Sequence, residues 1–274
     1  MKNYKNTSGT EIIEYSSFDD MLNDIKDPHG STATYGDAKW SGTKDYAEAM
    51  SLAFNGWTAI RPAVDSIMSR IRDRIADRTA PVFNMSHDVC GMAVDMAAFM
   101  SGQPECMIMP IPEPSRNSGK VVRIHYNAVG NCHVKAEAMQ ERGAAILALV
   151  DALNVLGVNA EIWTEISVNK GRRKGSVLVN VKNAHESVDV NRLMFALGSP
   201  SYLRRLTVSV MAKHALVGVQ TGGDCSGVAL HLVEDVAADV VVRSEHSNDD
   251  RIAKDPDGWI LGELARLGFD VEPK

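Results

Sequence analysis

The chain has 274 residues, 45% apolar and 23% charged, which is enough apolar material for a core and rules out a wholly disordered protein. A net charge of −6 excludes a uniformly basic nucleic-acid coat protein, but not a local basic site. The charge is unevenly spread: residues 1–60 sum to −4, residues 61–231 to +4 and residues 232–274 to −6.

In chain order, the first 35 residues are polar and carry one short helical pattern, Phe18 to Ile25, with Ser17 as its N-cap. The start, MKNYKNTSGTEIIEY, lacks the apolar core of a signal peptide, and the longest apolar run, Gly143 to Val150, is too short to span a membrane. Tyr46, Ala49, Met50 and Ala53 are spaced as on a helix that ends at Asn55-Gly56. A second helix is expected from about Arg61, with Pro62 in its first turn, where a missing N–H costs little. Val64, Ile67, Met68, Ile71 and Ile75 form its apolar stripe, and Arg70, Arg74 and Arg78 a cationic one.

Residues 81–109 mix a short apolar stretch, an irregular or helical piece around Val89 to Met100, and a strand from Cys106 to Met109. Prolines 110, 112 and 114 then exclude a helix or a central strand and mark a linker or long loop. Beyond it come a β-branched strand (Val121 to Tyr126), a long helix (Val134 to Leu156, ended by Gly157), a strand (Ala160 to Val168) and a returning strand (Val177 to Val181). Asp189 caps a helix to Leu197, and Leu206 to Met211 reads as a further strand. Val240 to Val242 is a short apolar stretch, and Asp255-Pro256 opens a last helix that ends at Gly268. The expected class is α+β: a helical region 1–110 and a mixed sheet with β-α-β-β-α-β order over 120–274, or one continuous domain.

Lys170-Gly-Arg-Arg-Lys-Gly175 is the sharpest local feature. Lys170, Arg172, Arg173 and Lys174 sit at a hairpin tip, where side chains splay outward and can reach phosphates. Arg204-Arg205 follows Ser199-Pro200 and is a second candidate, with Arg70 and Arg74 a weaker third because acids interleave with them. Single-stranded nucleic acid also calls for stacking aromatics, for which Tyr126 and Tyr202 are the main candidates, beside Trp40, Trp57 and Trp163. The competing reading is a nucleotide- or metal-dependent enzyme using Asn127, Asp224 and His87. Neither His87-Asp-Val-Cys90 nor Cys132-His133 has a matching second half at metal-site spacing, however, and Gly222–Gly227 is neither a P-loop nor GxSxG. The four cysteines are scattered without a CxxC pair, which fits reduced thiols inside a cell. No cofactor and no catalytic residue is expected.

Several stretches together carry a resemblance: Trp40-Ser-Gly-Thr43 with Gly56-Trp57, residues 94–107 (VDMAAFMSGQPECM), residues 122–127 (VRIHYN), residues 142–153 (RGAAILALVDAL), Phe195-Ala-Leu-Gly-Ser-Pro200 and Leu203-Arg-Arg-Leu206. Over about residues 40–210 the chain resembles conserved proteins of schitoviruses and other tailed phages, and within them is similar to the Drc-type single-stranded-DNA-binding regulators. That resemblance implies a non-enzymatic homo-oligomer in the cytoplasm of an infected bacterium, with single-stranded DNA and a phage RNA polymerase as partners and no membrane. A phage structural or host-takeover protein, binding another protein through its acidic tail, is the third reading.

Overall fold

The computed structural model describes residues 1–30, 38–75, 83–112, 119–129, 134–170, 172–218, 237–243 and 251–269. The class is α+β. The chain opens with two strands that its polar start had not suggested, β1 (Lys2–Lys5) and β2 (Glu11–Tyr15), followed by α1 (Phe18–Asp24), where Ser17 Oγ accepts the Asp20 N–H at 3.1 Å. A short α2 (Ala38–Ser41) precedes α3 (Tyr46–Asn55), capped by Asp45, and α4 (Arg61–Ile75), which buries the expected stripe from Val64 to Ile75.

The strand β6 (Val121–Asn127) passes through α6 (Ala136–Val155) to β7 (Asn159–Lys170), which turns directly into β8 (Arg173–Lys182). Next comes α7 (Val190–Gly198), whose cap Asp189 accepts from the Arg192 N–H at 3.1 Å. Residues 206–211, expected as a strand, are instead helical: a π-turn over Tyr202–Thr207 runs into α8 (Val208–Lys213). The alternation of Leu206, Val208 and Val210 with Thr207 and Ser209 imitates a strand, yet residues 206–211 are all buried, so no amphipathic period survives. Thr207 meets its hydroxyl's demand locally by donating to the Leu203 carbonyl at 2.8 Å. The expected β-α-β-β-α-β order therefore loses its last strand; β9 (Val240–Val242), with α9 (Arg251–Lys254) and α10 (Pro256–Arg266) after it, joins the sheet later in the chain.

The main sheet has the order β1-β2-β8-β7-β6-β9. β2 runs parallel to β8, and β6 runs parallel to both β7 and β9; β7 and β8 are antiparallel. One face carries Ile13, Tyr15, Ile124, Tyr126, Ile162, Ile166, Val177 and Val179, all in a single buried cluster with Met21, Ala49, Ile71, Leu147, Phe195 and Leu264 from the helices. The expected boundary at 110–120 therefore does not divide the core: β2 pairs with β8, and α4 packs along α6, where Arg72 grips Asp151 at 2.6 and 2.7 Å.

Residues 83–112 stand apart. Strands β3 (Phe83–Asp88), β4 (Ala93–Val94) and β5 (Met107–Pro112) pair only with one another, beside a one-turn α5 (Met96–Met100). Among its described side chains only Ala98 is buried, while Met85, Val89, Met92, Met96, Phe99 and Met100 are each more than half exposed.

A polar junction ties α1 to α8. Asp24 accepts from the Tyr15 hydroxyl at 2.6 Å and from Lys213 at 2.8 Å, and His214 Nε2 lies 2.7 Å away. Partial burial pushes the Asp24 carboxyl up, but the Lys213, Tyr15 and His214 hydrogen bonds outweigh it and bring it to about 2. A lowered carboxylate pKa stabilises the fold above the unfolded value of 3.8, and that contribution is lost as pH falls from there toward 2. Acid titration of stability should thus show Asp24→Asn flattening the curve over that window. An unchanged slope would contradict this role for Asp24.

Candidate nucleic-acid interface

The β7–β8 hairpin carries the predicted cations at its tip. Lys170 pairs with Arg173 in the last rung, leaving a two-residue turn; Arg172, Arg173 and Lys174 are exposed, and the Lys170 side chain lies outside the described residues. Arg173 donates to Glu11 at 2.8 Å, with Lys5 at 3.6 Å from the same carboxylate. The Arg173 hydrogen bond holds Glu11 below the usual carboxylate range against the opposing effect of burial, with further help from the Val217 N–H. No described residue pairs with Arg172 or Lys174. The corner thus presents Lys5, Arg172, Arg173 and Lys174 against one acid, an excess of positive charge at the sheet's edge.

The sequence missed a neighbour of this corner. β1 sets Tyr4 across from Ile12, and Ile12 across from Ser176, so Tyr4 shares a sheet face with Lys174, about 12 Å away across two strand spacings and two residues along the strand. Tyr4 is 40% exposed, donates its hydroxyl to Glu14 at 2.9 Å and lies between Lys2 and Lys5. The run Lys2-Asn-Tyr-Lys5 held that signal, an aromatic interleaved with cations, inside what reads as a polar tail.

The remaining predicted contacts are corrected by burial. Arg204 and Arg205 are 4% and 0% exposed. Arg204 lies over the Trp40 ring at 4.6 Å and donates to the Trp40 and Val134 carbonyls. Arg205 donates to Ser41 Oγ at 2.8 Å, Thr43 Oγ1 at 3.0 Å and the Thr43 carbonyl at 2.9 Å. Both stitch the 40–45 segment to the core and cannot reach a phosphate. Tyr126 and Tyr202 belong to the core too, the first beneath the Arg142 guanidinium and the second edge-on to Phe18; burial raises the Tyr202 phenol's pKa. Trp57 is buried, whereas Trp40 and Trp163 are half-buried. Arg70 is clamped by Asp257 at 2.8 and 2.9 Å; Arg74 is exposed, and Arg78 lies outside the described residues.

Of the residues of the enzyme reading, the two described, Asn127 and His87, lie on different sheets. Asn127 is buried and turns the chain by accepting the Val129 N–H at 3.0 Å, while His87 lies on the small sheet, 3.0 Å from Asp95. Asp224, Gly222–Gly227 and Cys132-His133 lie outside the described residues. Among the described residues no group of three His, Cys, Asp or Glu could hold a metal ion, and no helix is long and apolar enough to cross a membrane. The second sheet face does hold a polar cluster. Glu165, fully buried, accepts from Ser167 at 2.5 Å and Ser176 at 2.8 Å, with His125 Nε2 at 2.8 Å. Its members are too deeply buried for a substrate to reach them, so the cluster fixes β6, β7 and β8 side by side.

A family profile described as a domain of unknown function, DUF7192, matches residues 3–271. No curated protein and no solved structure matches the chain.

Proposed function

Because the chain belongs to the DUF7192 family, a domain of unknown function, we propose a role from its own geometry: it binds single-stranded DNA with little sequence preference, in support of phage transcription or replication. One observation carries this reading, the hairpin end where exposed Lys5 and Arg173 share Glu11 on one sheet face, with exposed Arg172 at the turn and Lys174 on the opposite face beside them. Its contacts are to phosphate, which gives affinity without sequence readout. Tyr4 on the same edge supplies a stacking surface that every base fits, worth about 1–3 kcal/mol.

Filter binding of oligo-dT at a series of salt concentrations tests it. Each lost phosphate contact on a single strand lowers the slope of log affinity against log salt by about 0.7, so Arg172→Ala/Lys174→Ala should lower it by about 1.4. Equal binding of wild type and double variant, or no salt dependence at all, would refute the proposal. The exposed apolar surface of residues 83–112 favours a second reading, association with another protein such as a second copy or a phage RNA polymerase. The two roles use different parts of the molecule and are compatible.

A further inference from the structure

Glu11 sits between the cations of one sheet face at the hairpin end. Lys5 lies directly across from it on β1, and Gly175 directly across on β8, two residues beyond Arg173. Its Oε1 accepts from Arg173 Nη2 at 2.8 Å and lies 3.6 Å from Lys5 Nζ, while its Oε2 accepts the Val217 N–H at 2.9 Å. The bond to Val217 anchors the carboxylate from the protein side. Val217 is 1% exposed and holds φ at 47°, a left-handed backbone that β-branched residues rarely adopt. Packing keeps it there: a Cβ on Gly175 would lie 2.8 Å from Leu216 Cγ and 2.9 Å from Val217 Cγ1, so β8 and this turn are in close contact. The cations are held far less. The side chains of Arg173 and Lys5 are 57% and 68% exposed, against 18% for Glu11.

We propose that Glu11 is an autoinhibitory contact: it occupies Arg173 in the free protein, and a polyanion gains that arginine only by taking it from the carboxylate. The inference rests on the DNA-binding reading of this hairpin and adds a control on it. The carboxylate oxygen already stands where a phosphate oxygen would, at charge-assisted hydrogen-bond distance from the guanidinium. Because Glu11 is fixed at Val217, the exchange takes place by Arg173 turning outward into solvent. Lys5 then remains beside the abandoned carboxylate and neutralises it, so it acts as a counter-ion rather than a phosphate ligand. Arg172 and Lys174 meet a phosphate without giving up a described partner, whereas Arg173 exchanges one anion for another. Salt dependence carries the same distinction. A phosphate neutralised by Arg172 or Lys174 releases a counterion, but when Arg173 does so Glu11 draws a cation back, from Lys5 or from solution.

The test is calorimetric titration of the full chain with oligo-dT and with inorganic tripolyphosphate, for wild type, Glu11→Gln, Arg173→Ala and the double variant. Glutamine keeps the side chain's shape and an oxygen for the Val217 N–H, and Arg173 is exposed, so these variants retain the fold. Glu11→Gln should bind both polyanions about threefold more tightly, the worth of a partly exposed ion pair. Its slope of log affinity for oligo-dT against log salt should steepen by about 0.7, one added phosphate contact. In the Arg173→Ala background the same substitution should gain less, because no guanidinium remains to be released. An equal gain in both backgrounds means that Glu11 acts only by its charge at a distance, and overturns the inference. So does a Glu11→Gln chain that binds neither polyanion more tightly than wild type. A gain with tripolyphosphate that depends on Arg173, without any binding of oligo-dT, upholds the autoinhibitory contact and refutes the DNA-binding reading instead.

Discussion

Arg205→Met should destabilise the protein by about 4 kcal/mol and leave oligo-dT affinity unchanged. The guanidinium is fully buried and makes charge-assisted bonds to two hydroxyls and two carbonyls, those of Ser41, Thr43 and Lys44. Methionine restores the side chain's bulk and none of its donors. Each acceptor left dry costs about 1–3 kcal/mol, partly offset because no buried charge remains to be desolvated. Burial already lowers the Arg205 pKa, against weaker support from Asp45 and Glu48, which shows how much of the cation's solvation has been given up. Urea unfolding should therefore show a lower midpoint with an unchanged slope. A midpoint within about 0.5 kcal/mol of wild type, the range of ordinary surface substitutions, together with weakened DNA binding, would restore Arg205 to the surface role its sequence suggests.

The crossing of α6 over the end of α7 should be nearly as sensitive. A Cβ on Gly143 would lie 2.5 Å from Gly198 Cα, 2.7 Å from Gly198 N and 2.7 Å from the Leu197 carbonyl oxygen. All three are backbone atoms and cannot rotate aside, so the helices would have to part. Gly143→Ala gains about 1 kcal/mol in helix propensity, yet overpacking of this kind costs about 1–3 kcal/mol or more, and a fixed backbone places it at the upper end. A net loss of about 2 kcal/mol is expected, larger for Gly143→Val. Gly262→Ala in α10 is the control: nothing lies within 4 Å of its Cβ, so it should stabilise by about 0.5–1 kcal/mol. If both alanine variants shift stability in the same direction, close helix contact is not what requires glycine at 143.

These residues also show what the sequence could reveal. The helices capped by Ser17, Asp189 and Asp255 were readable from their caps, and Tyr46–Asn55 from its apolar spacing, because both are local signals. The β7–β8 hairpin was readable from its β-branched alternation and glycine-containing turn. β1 and β2 were not: β1 is a short polar edge strand that acquires identity only by pairing with β2, and the five-residue β2 only by pairing with β8. Segment 206–211 misled because a helix buried all round loses its period. Arg204 and Arg205 misled for a related reason. An arginine's charge is written in the sequence, whereas its burial depends on partners some 160 positions away at Trp40, Ser41 and Thr43. Arg172, Arg173 and Lys174 are exposed at the end of the hairpin, where the sequence places them.

The small sheet over residues 83–112 has a chemical consequence. Met85, Met92, Met96 and Met100 expose their thioethers to solvent, and Cys90 is an exposed free thiol on the same excursion. Met21 and Met194 are fully buried. An oxidant in solution therefore meets this one segment before it meets the core. Each sulfoxide formed there replaces an apolar contact with a polar, chiral one that a reductase can reverse. The segment would lose its stickiness while the fold beneath it stayed intact, so its apolar surface is tied to the redox state of its surroundings.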